Sequence, residues 1–180
     1  MNFGKASIAA AAFAIMGGIP AMAHAVDGTI TVTGSISAQT CTVNGNGTGS
    51  KDFTVALPSV SASALATAGQ TAGQTPFSIT LTKCSAPGSV HTFFEPGATT
   101  DLTTGNLIVA AGGATNVQIG LANADLSAIK AGAADASQNS KAVSIVNNGA
   151  TLQYYARYVA TGAATSGAAN SSVMYSLVYQ

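Results

Sequence analysis

Residues 26–36 read V-D-G-T-I-T-V-T-G-S-I and alternate without a break. Val26, Gly28, Ile30, Val32, Gly34 and Ile36 fall on one side, and Asp27, Thr29, Thr31, Thr33 and Ser35 on the other. A period of two, rich in β-branched residues, marks a strand with one face buried and one face wet. No turn partner lies upstream of it, and it precedes the first cysteine. A strand on a free N-terminal end must pair with something, because its backbone groups need partners once they leave water.

What lies upstream is not strand material. Lys5 is the only charge ahead of an apolar run over residues 6–22, broken by Ser7, Gly17, Gly18 and Pro20, and Ala23-His24-Ala25 follows. About 20 apolar residues are long enough to span a bilayer. The Gly-Gly-Ile-Pro breaker and the small residues at the two positions a signal peptidase reads favour a cleaved signal peptide over residues 1–25. Cleavage is expected after Ala25, with Ala23 as the second choice. No later apolar run is long enough for a membrane helix.

The mature chain, residues 26–180, is the size of one domain. Its charges are sparse: Lys51, Lys83, Lys130, Lys141 and Arg157 against Asp27, Asp52, Glu95, Asp101, Asp125 and Asp135. That balance leaves no basic footprint for nucleic acid, and a surface so neutral tolerates close association with other subunits. Cys41 and Cys84 are the two cysteines. In an exported chain an even count implies one disulfide. Closing a loop of just over forty residues, it stabilises by about 4 kcal/mol in the chain-entropy model. Two Cys with the scattered His24 and His91 are too few for a metal site, and His91 is expected at the surface or partly buried. Glu95 and Asp101 flank a Pro-Gly turn with no base or nucleophile beside them. No catalytic constellation, cofactor site or metal site is expected.

Short strands are expected at residues 37–43, 53–57, 76–84, 89–94, 106–110, 116–121, 143–146, 151–160 and 173–179, with turn-rich segments between them. Residues 63–68 and the loop 124–136 are each read as holding at most one helical turn. Asn147-Asn148-Gly149 is a tight-turn signal joining two of the strands. Many short strands with little helical periodicity point to an all-β sandwich. All five tyrosines (Tyr154, Tyr155, Tyr158, Tyr175 and Tyr179) fall in the last two strands, and tryptophan is absent.

The C-terminal segment A-R-Y-V-A-T-G-A-A-T-S-G-A-A-N, residues 156–170, runs into the closing strand; Gly167 stands fourteenth from the end and Tyr179 is penultimate. With the cysteine spacing and the alternating stretch ahead of Cys41, this resembles the major structural subunits of chaperone–usher pili, the type 1 pilins in particular. The resemblance covers nearly the whole mature chain. It implies an incomplete immunoglobulin-like β-sandwich lacking its last strand, with residues 26–36 as an N-terminal donor-strand extension and residues 37–180 as the pilin domain.

The missing strand would leave a groove beside the C-terminal strand, involving Gly167, Val173, Tyr175, Leu177, Tyr179 and Gln180. Such an edge is a template for added strands. The resemblance implies three partners: a periplasmic chaperone that lends a strand and binds the carboxylate of Gln180, an outer-membrane usher, and identical subunits joined head to tail. Val26, Ile30, Val32 and Ile36 would insert into the neighbour's groove, with Gly28 over a shallow pocket; this is β-augmentation. Four buried branched residues give roughly 6–12 kcal/mol gross. A head-to-tail contact propagates as a filament, here a cell-surface fimbrium serving adhesion and reached through the periplasm.

Two further readings stand beside this one. A minor adaptor pilin near the tip shares the export class and the fold. A monomeric secreted β-sandwich that binds a small ligand or glycan would make residues 26–36 its own first strand. A tip adhesin needs a second domain that this length excludes.

Overall fold

Strands form where apolar residues alternate with hydroxyl or small ones. The computed structural model describes residues 31–34 and 40–180, and in chain order their strands are β1 (Thr42–Gly45), β2 (Thr71–Thr82), β3 (Gly88–Phe94), β4 (Leu107–Ile108), β5 (Val117–Asn123), β6 (Ala128–Ile129), β7 (Val143–Ile145), β8 (Ala150–Ala160) and β9 (Tyr175–Tyr179). One turn of 3-10 helix covers Ala62–Leu65, and α1 covers Asp135–Gln138. The chain divides into two units, Met1–Ser35 and Ile36–Gln180. In the first, Thr31–Gly34 has no regular structure and Val32 is exposed. The proposed signal peptide and Val26, Gly28, Ile30 and Ile36 lie outside the described residues.

The strands make two antiparallel sheets. The larger runs β1-β2-β8-β5-β4 with β6 also on β5, and the smaller runs β7-β3-β9. The spine is the β2–β8 pair, which sets Phe77 opposite Tyr154 and Ile79 opposite Leu152. Alternate residues of both strands therefore point inward together, and Phe77, Ile79, Leu81, Leu152, Tyr154 and Ala156 are buried in one core with Val90 and Phe94 of β3. The Tyr154 ring joins the sheets, its centroid 5.5 Å from those of both Phe77 and Phe94. Burying each such side chain contributes about 1.5–3 kcal/mol.

The structure corrects several expectations. Strand β2 begins at Thr71, well before Pro76, because a bulge between Ala72 and Thr75 absorbs the irregular Gly73-Gln74 step. Gly73 has φ +66°, and the Tyr158 ring occupies the space where its Cβ would be, so only glycine fits there. A two-residue strand, β6, sits inside the expected loop 124–136. The Asn147-Asn148 turn exists, with both residues at positive φ, yet it does not make a simple hairpin. Val146 and Gly149 exchange two bonds of 2.9 and 3.0 Å, after which the chain changes sheet: β7 pairs with β3, and β8 with β2. The reason is the anchor on Asn148. Its carbonyl accepts from Cys84 N and its Nδ2 donates to Cys84 O, which holds the turn against the end of β2. Cys84 is bonded to Cys41 at that corner, as the cysteine count implied.

His91 is buried rather than at the surface. Its Nε2 lies 2.8 Å from Asp135 Oδ1, so α1 covers this part of β3. Beside it the fully buried Gln138 replaces a missing strand: Phe94 N donates to Oε1 at 2.9 Å, and Nε2 donates to Phe94 O at 2.7 Å. Among the described residues no helix is long and apolar enough to cross a membrane, and no three His, Cys, Asp or Glu side chains gather as metal ligands.

Candidate functional site

Among the described residues, strand β9 is the edge of the small sheet, with β3 as its only ladder partner. Its phase follows from its last residue: Gln180 and Ser89 exchange two backbone bonds of 2.9 Å. In an antiparallel ladder the bonded residues alternate, so Val178 and Ser176 turn their backbone groups toward β3, and Met174 O accepts from Glu95 N. Tyr175, Leu177 and Tyr179 therefore turn their N–H and C=O groups to the other edge, where no described residue pairs with them. The side chains of these three residues are packed against the core. One set of residues thus offers both an apolar face and an unmade ladder.

The opposite wall is the stretch 51–57. The alternation of Phe53, Val55 and Leu57 predicts a strand, and the structure gives the alternation without the ladder. Phe53, Val55 and Leu57 are half-buried against the core, while Thr54 and Ala56 are exposed, but no strand is assigned. A segment can bury alternate side chains and still lack backbone partners when the neighbouring strand is missing. Among the described residues, that is the situation here.

Between the walls lies a groove of about 730 Å³, lined by residues 51–55, Leu57, residues 171–175 and Leu177. Its floor is core: Phe77, Ile79, Phe94, Leu107, Ile119 and Leu121. The walls touch at one point. The Tyr175 hydroxyl donates to Lys51 O at 2.7 Å, and the Phe53 ring meets the Tyr175 ring edge-on with centroids 6.2 Å apart. Burial pushes the Tyr175 phenol above its ordinary value, and the Asp52 carboxylate adds to the shift; burial does the same for Tyr179.

Of the residues singled out in the sequence, Val173, Tyr175 and Leu177 line this groove. Tyr179 packs against the core beyond the groove lining, and Gln180 ends the β3–β9 ladder. Gly167 lies elsewhere, in a strap ahead of β9 that runs along β4. There Ala114 N donates to Ala168 O, Ala110 N to Asn170 O, and Ser171 Oγ to Ile108 O. Gly167 has φ +155°, and its Cβ would stand 2.8 Å from Ala114 N. Sequence reasoning missed Lys51 and the floor residues as parts of the site. Lys51 acts through its carbonyl, which has no sequence signal.

Residues 57–180 match the model of the family described as Type-1 fimbrial protein, A. The chain is 51% identical over 166 residues to the major fimbrial subunit SMF-1 of Stenotrophomonas maltophilia, covering 89% of this chain and 96% of that one. It is 48% identical over 163 residues to the F17 fimbrial protein of Escherichia coli, covering 87% and 89%. A solved structure of a chaperone–usher pilus shares the fold at 20% identity, with a TM-score of 0.62 over 85% of this chain and 95% of that one. The two-sheet architecture with its open edge is accordingly the immunoglobulin-like, incomplete sandwich of pilus subunits. The chain belongs to the type-1 fimbrial protein family: it is a non-enzymatic structural subunit of a surface fimbria, and its partners are other fimbrial subunits.

Proposed function

We propose that this subunit builds the fimbrial shaft by donor-strand exchange. In this reading residues 26–36 of one copy enter the groove beside β9 of the next. The observation that carries it is the coincidence at Tyr175 and Leu177, which line an open apolar groove and present to it backbone groups that no described residue pairs. A strand with alternating apolar residues satisfies both demands at once. The 51% identity to a major subunit supports the shaft over a tip adaptor. Residues 1–25 serve as a signal peptide for export. Before assembly, a periplasmic chaperone fills the groove and reaches Gln180, and an outer-membrane usher receives the complex on the way to the surface.

The test is expression of the mature subunit with and without a chaperone-type partner, followed by addition of a synthetic peptide of residues 26–36. The subunit alone is expected to aggregate, and the peptide is expected to release the chaperone and leave a soluble, complemented monomer. A wild-type subunit that purifies alone as a stable monomer and ignores the peptide would show a self-contained sandwich instead.

A further inference from the structure

The turn Asn46-Gly47-Thr48 takes no part in the groove. It differs sharply from the chain's other two Asn-Gly steps, Asn44-Gly45 and Asn148-Gly149. An asparagine before glycine can react with its own backbone, because glycine leaves its amide nitrogen uncrowded. The reaction needs a free carboxamide, a free glycine N–H and room to turn. Asn148 has neither free group: Nδ2 donates to Cys84 O at 2.8 Å, and Gly149 N donates to Val146 O at 3.0 Å. Its carbonyl also accepts from Cys84 N. Asn44 lies in β1, where its Oδ1 accepts from Gly49 N at 2.8 Å and Gly45 N donates to Ser50 O at 2.7 Å.

Asn46 is the opposite case. It and Gly47 are exposed, and no described residue hydrogen-bonds its carboxamide or the Gly47 N–H. The two residues have φ of +50° and +74°, a left-handed turn that asparagine and glycine adopt readily. Thr48 closes it, its N and Oγ1 both donating to Gly45 O at 3.0 and 2.8 Å. Breaking those two bonds uncovers no core side chain, and exposed loop tips of this kind open at little cost.

We propose that Asn46 is a self-modification site, where the folded chain converts asparagine to aspartate and isoaspartate. The Gly47 nitrogen gives its proton to hydroxide and attacks Cγ of Asn46. The new N–C bond closes a five-membered imide, and the carboxamide nitrogen leaves as ammonia. Water then adds to one of the two imide carbonyls and breaks its bond to nitrogen, leaving a free carboxylate. Opening on one side restores the normal backbone as aspartate; opening on the other routes the backbone through Cβ as isoaspartate. Neither step needs an oxidant, a cofactor or a second protein. Residues 26–180 carry five basic side chains against six acidic ones, so each conversion doubles their formal negative charge. Repeated along a fimbria of such neutral subunits, that change alters the field the whole surface presents.

Comparing folded and unfolded protein tests this. Fimbriae sheared from cells are aged in heavy-oxygen water at neutral pH and body temperature, beside the same chain unfolded in urea with reductant. Tryptic peptides are then mapped by mass spectrometry; one ends at Lys51 and holds Asn44 and Asn46, and another, residues 142–157, holds Asn148. In fimbriae Asn46 should convert at least about tenfold faster than Asn44 or Asn148, the factor implied by the extra hydrogen bonds those sites must break. Its products should carry one heavy oxygen and appear as an aspartate and isoaspartate pair. In urea the three steps should converge, since their Asn-Gly chemistry is the same. Isoelectric focusing should show an acidic shift with age in the wild type and none in Asn46→Gln. Equal rates at the three sites in fimbriae, conversion of Asn46 only after unfolding, or an acidic shift that persists in Asn46→Gln would overturn the proposal.

Discussion

Ser89 and Gln180 hold each other by two backbone hydrogen bonds of 2.9 Å, and this pair decides which edge each residue of β9 serves. A shift of one residue would turn the side chains of Tyr175 and Leu177 to the solvent face and those of Met174 and Ser176 toward the core. The consequence is a clear contrast between residues of opposite phase. Leu177→Asp, inside the groove, should abolish fibres seen by electron microscopy. Met174→Asp, at the groove's rim but at a position 70% exposed, should leave them at wild-type length. Equal fibre yields from both variants would contradict the assigned phase.

Gln138 completes the hydrogen bonding of Phe94 from a fully buried position. Gly132 N also donates to Phe94 O, so only the Phe94 N–H depends wholly on Gln138. Gln138→Leu strands that donor, and the expected loss is about 1–3 kcal/mol. Urea unfolding of the peptide-complemented subunit measures it. The change should leave peptide uptake intact, since the groove is on the other edge of the small sheet.

The disulfide joins residues 43 apart in sequence. Replacing both Cys41 and Cys84 by Ser should lower stability by about 4 kcal/mol in the chain-entropy model. The same denaturant series, run with and without reductant on the wild type, should reproduce the loss. If reduction has no effect on the midpoint, the corner at Asn148 and Cys84 holds without the bond.

Gly167 should not tolerate a side chain, although it lies outside the groove. Gly167→Val combines a disfavoured backbone conformation with a clash against Ala114, at a cost of about 1–3 kcal/mol. The strap along β4 should loosen first, visible as faster amide exchange at Ala110 and Ala114, whose N–H groups donate to it.

Acid should weaken the fold through two surface carboxylates. Lys141, with help from Ser127, holds Asp125 well below its ordinary value of 3.8, and Gln118 and the Thr103 N–H lower Asp101. A folded-state value below the unfolded one means the contribution is fully present above pH about 4 and is lost as pH falls through the folded value. Urea midpoints should therefore be level from pH 7 to about 4.5 and decline below pH about 4, and less steeply in Asp125→Asn. Both groups are at the surface, so 1 M salt should flatten the difference.

Much of this protein was legible in the chain itself. Alternation at 76–82, 89–94 and 151–160 announced strands and their inward faces because burial of one face of a sheet is written locally, at a period of two. Two cysteines in an exported chain implied their bond. Tertiary structure decided the rest, because pairing is a contact between distant residues. The same alternation at 53–57 yields a wall without a ladder, since no strand of the described residues lies beside it. The Asn147-Asn148 turn leads into the opposite sheet because Cys84, far away in sequence, holds Asn148. The Tyr175 hydroxyl finds a carbonyl 124 residues earlier, and periodicity carries no trace of such a contact. Local pattern determined which faces are apolar; only the packed fold decided which of them is left open.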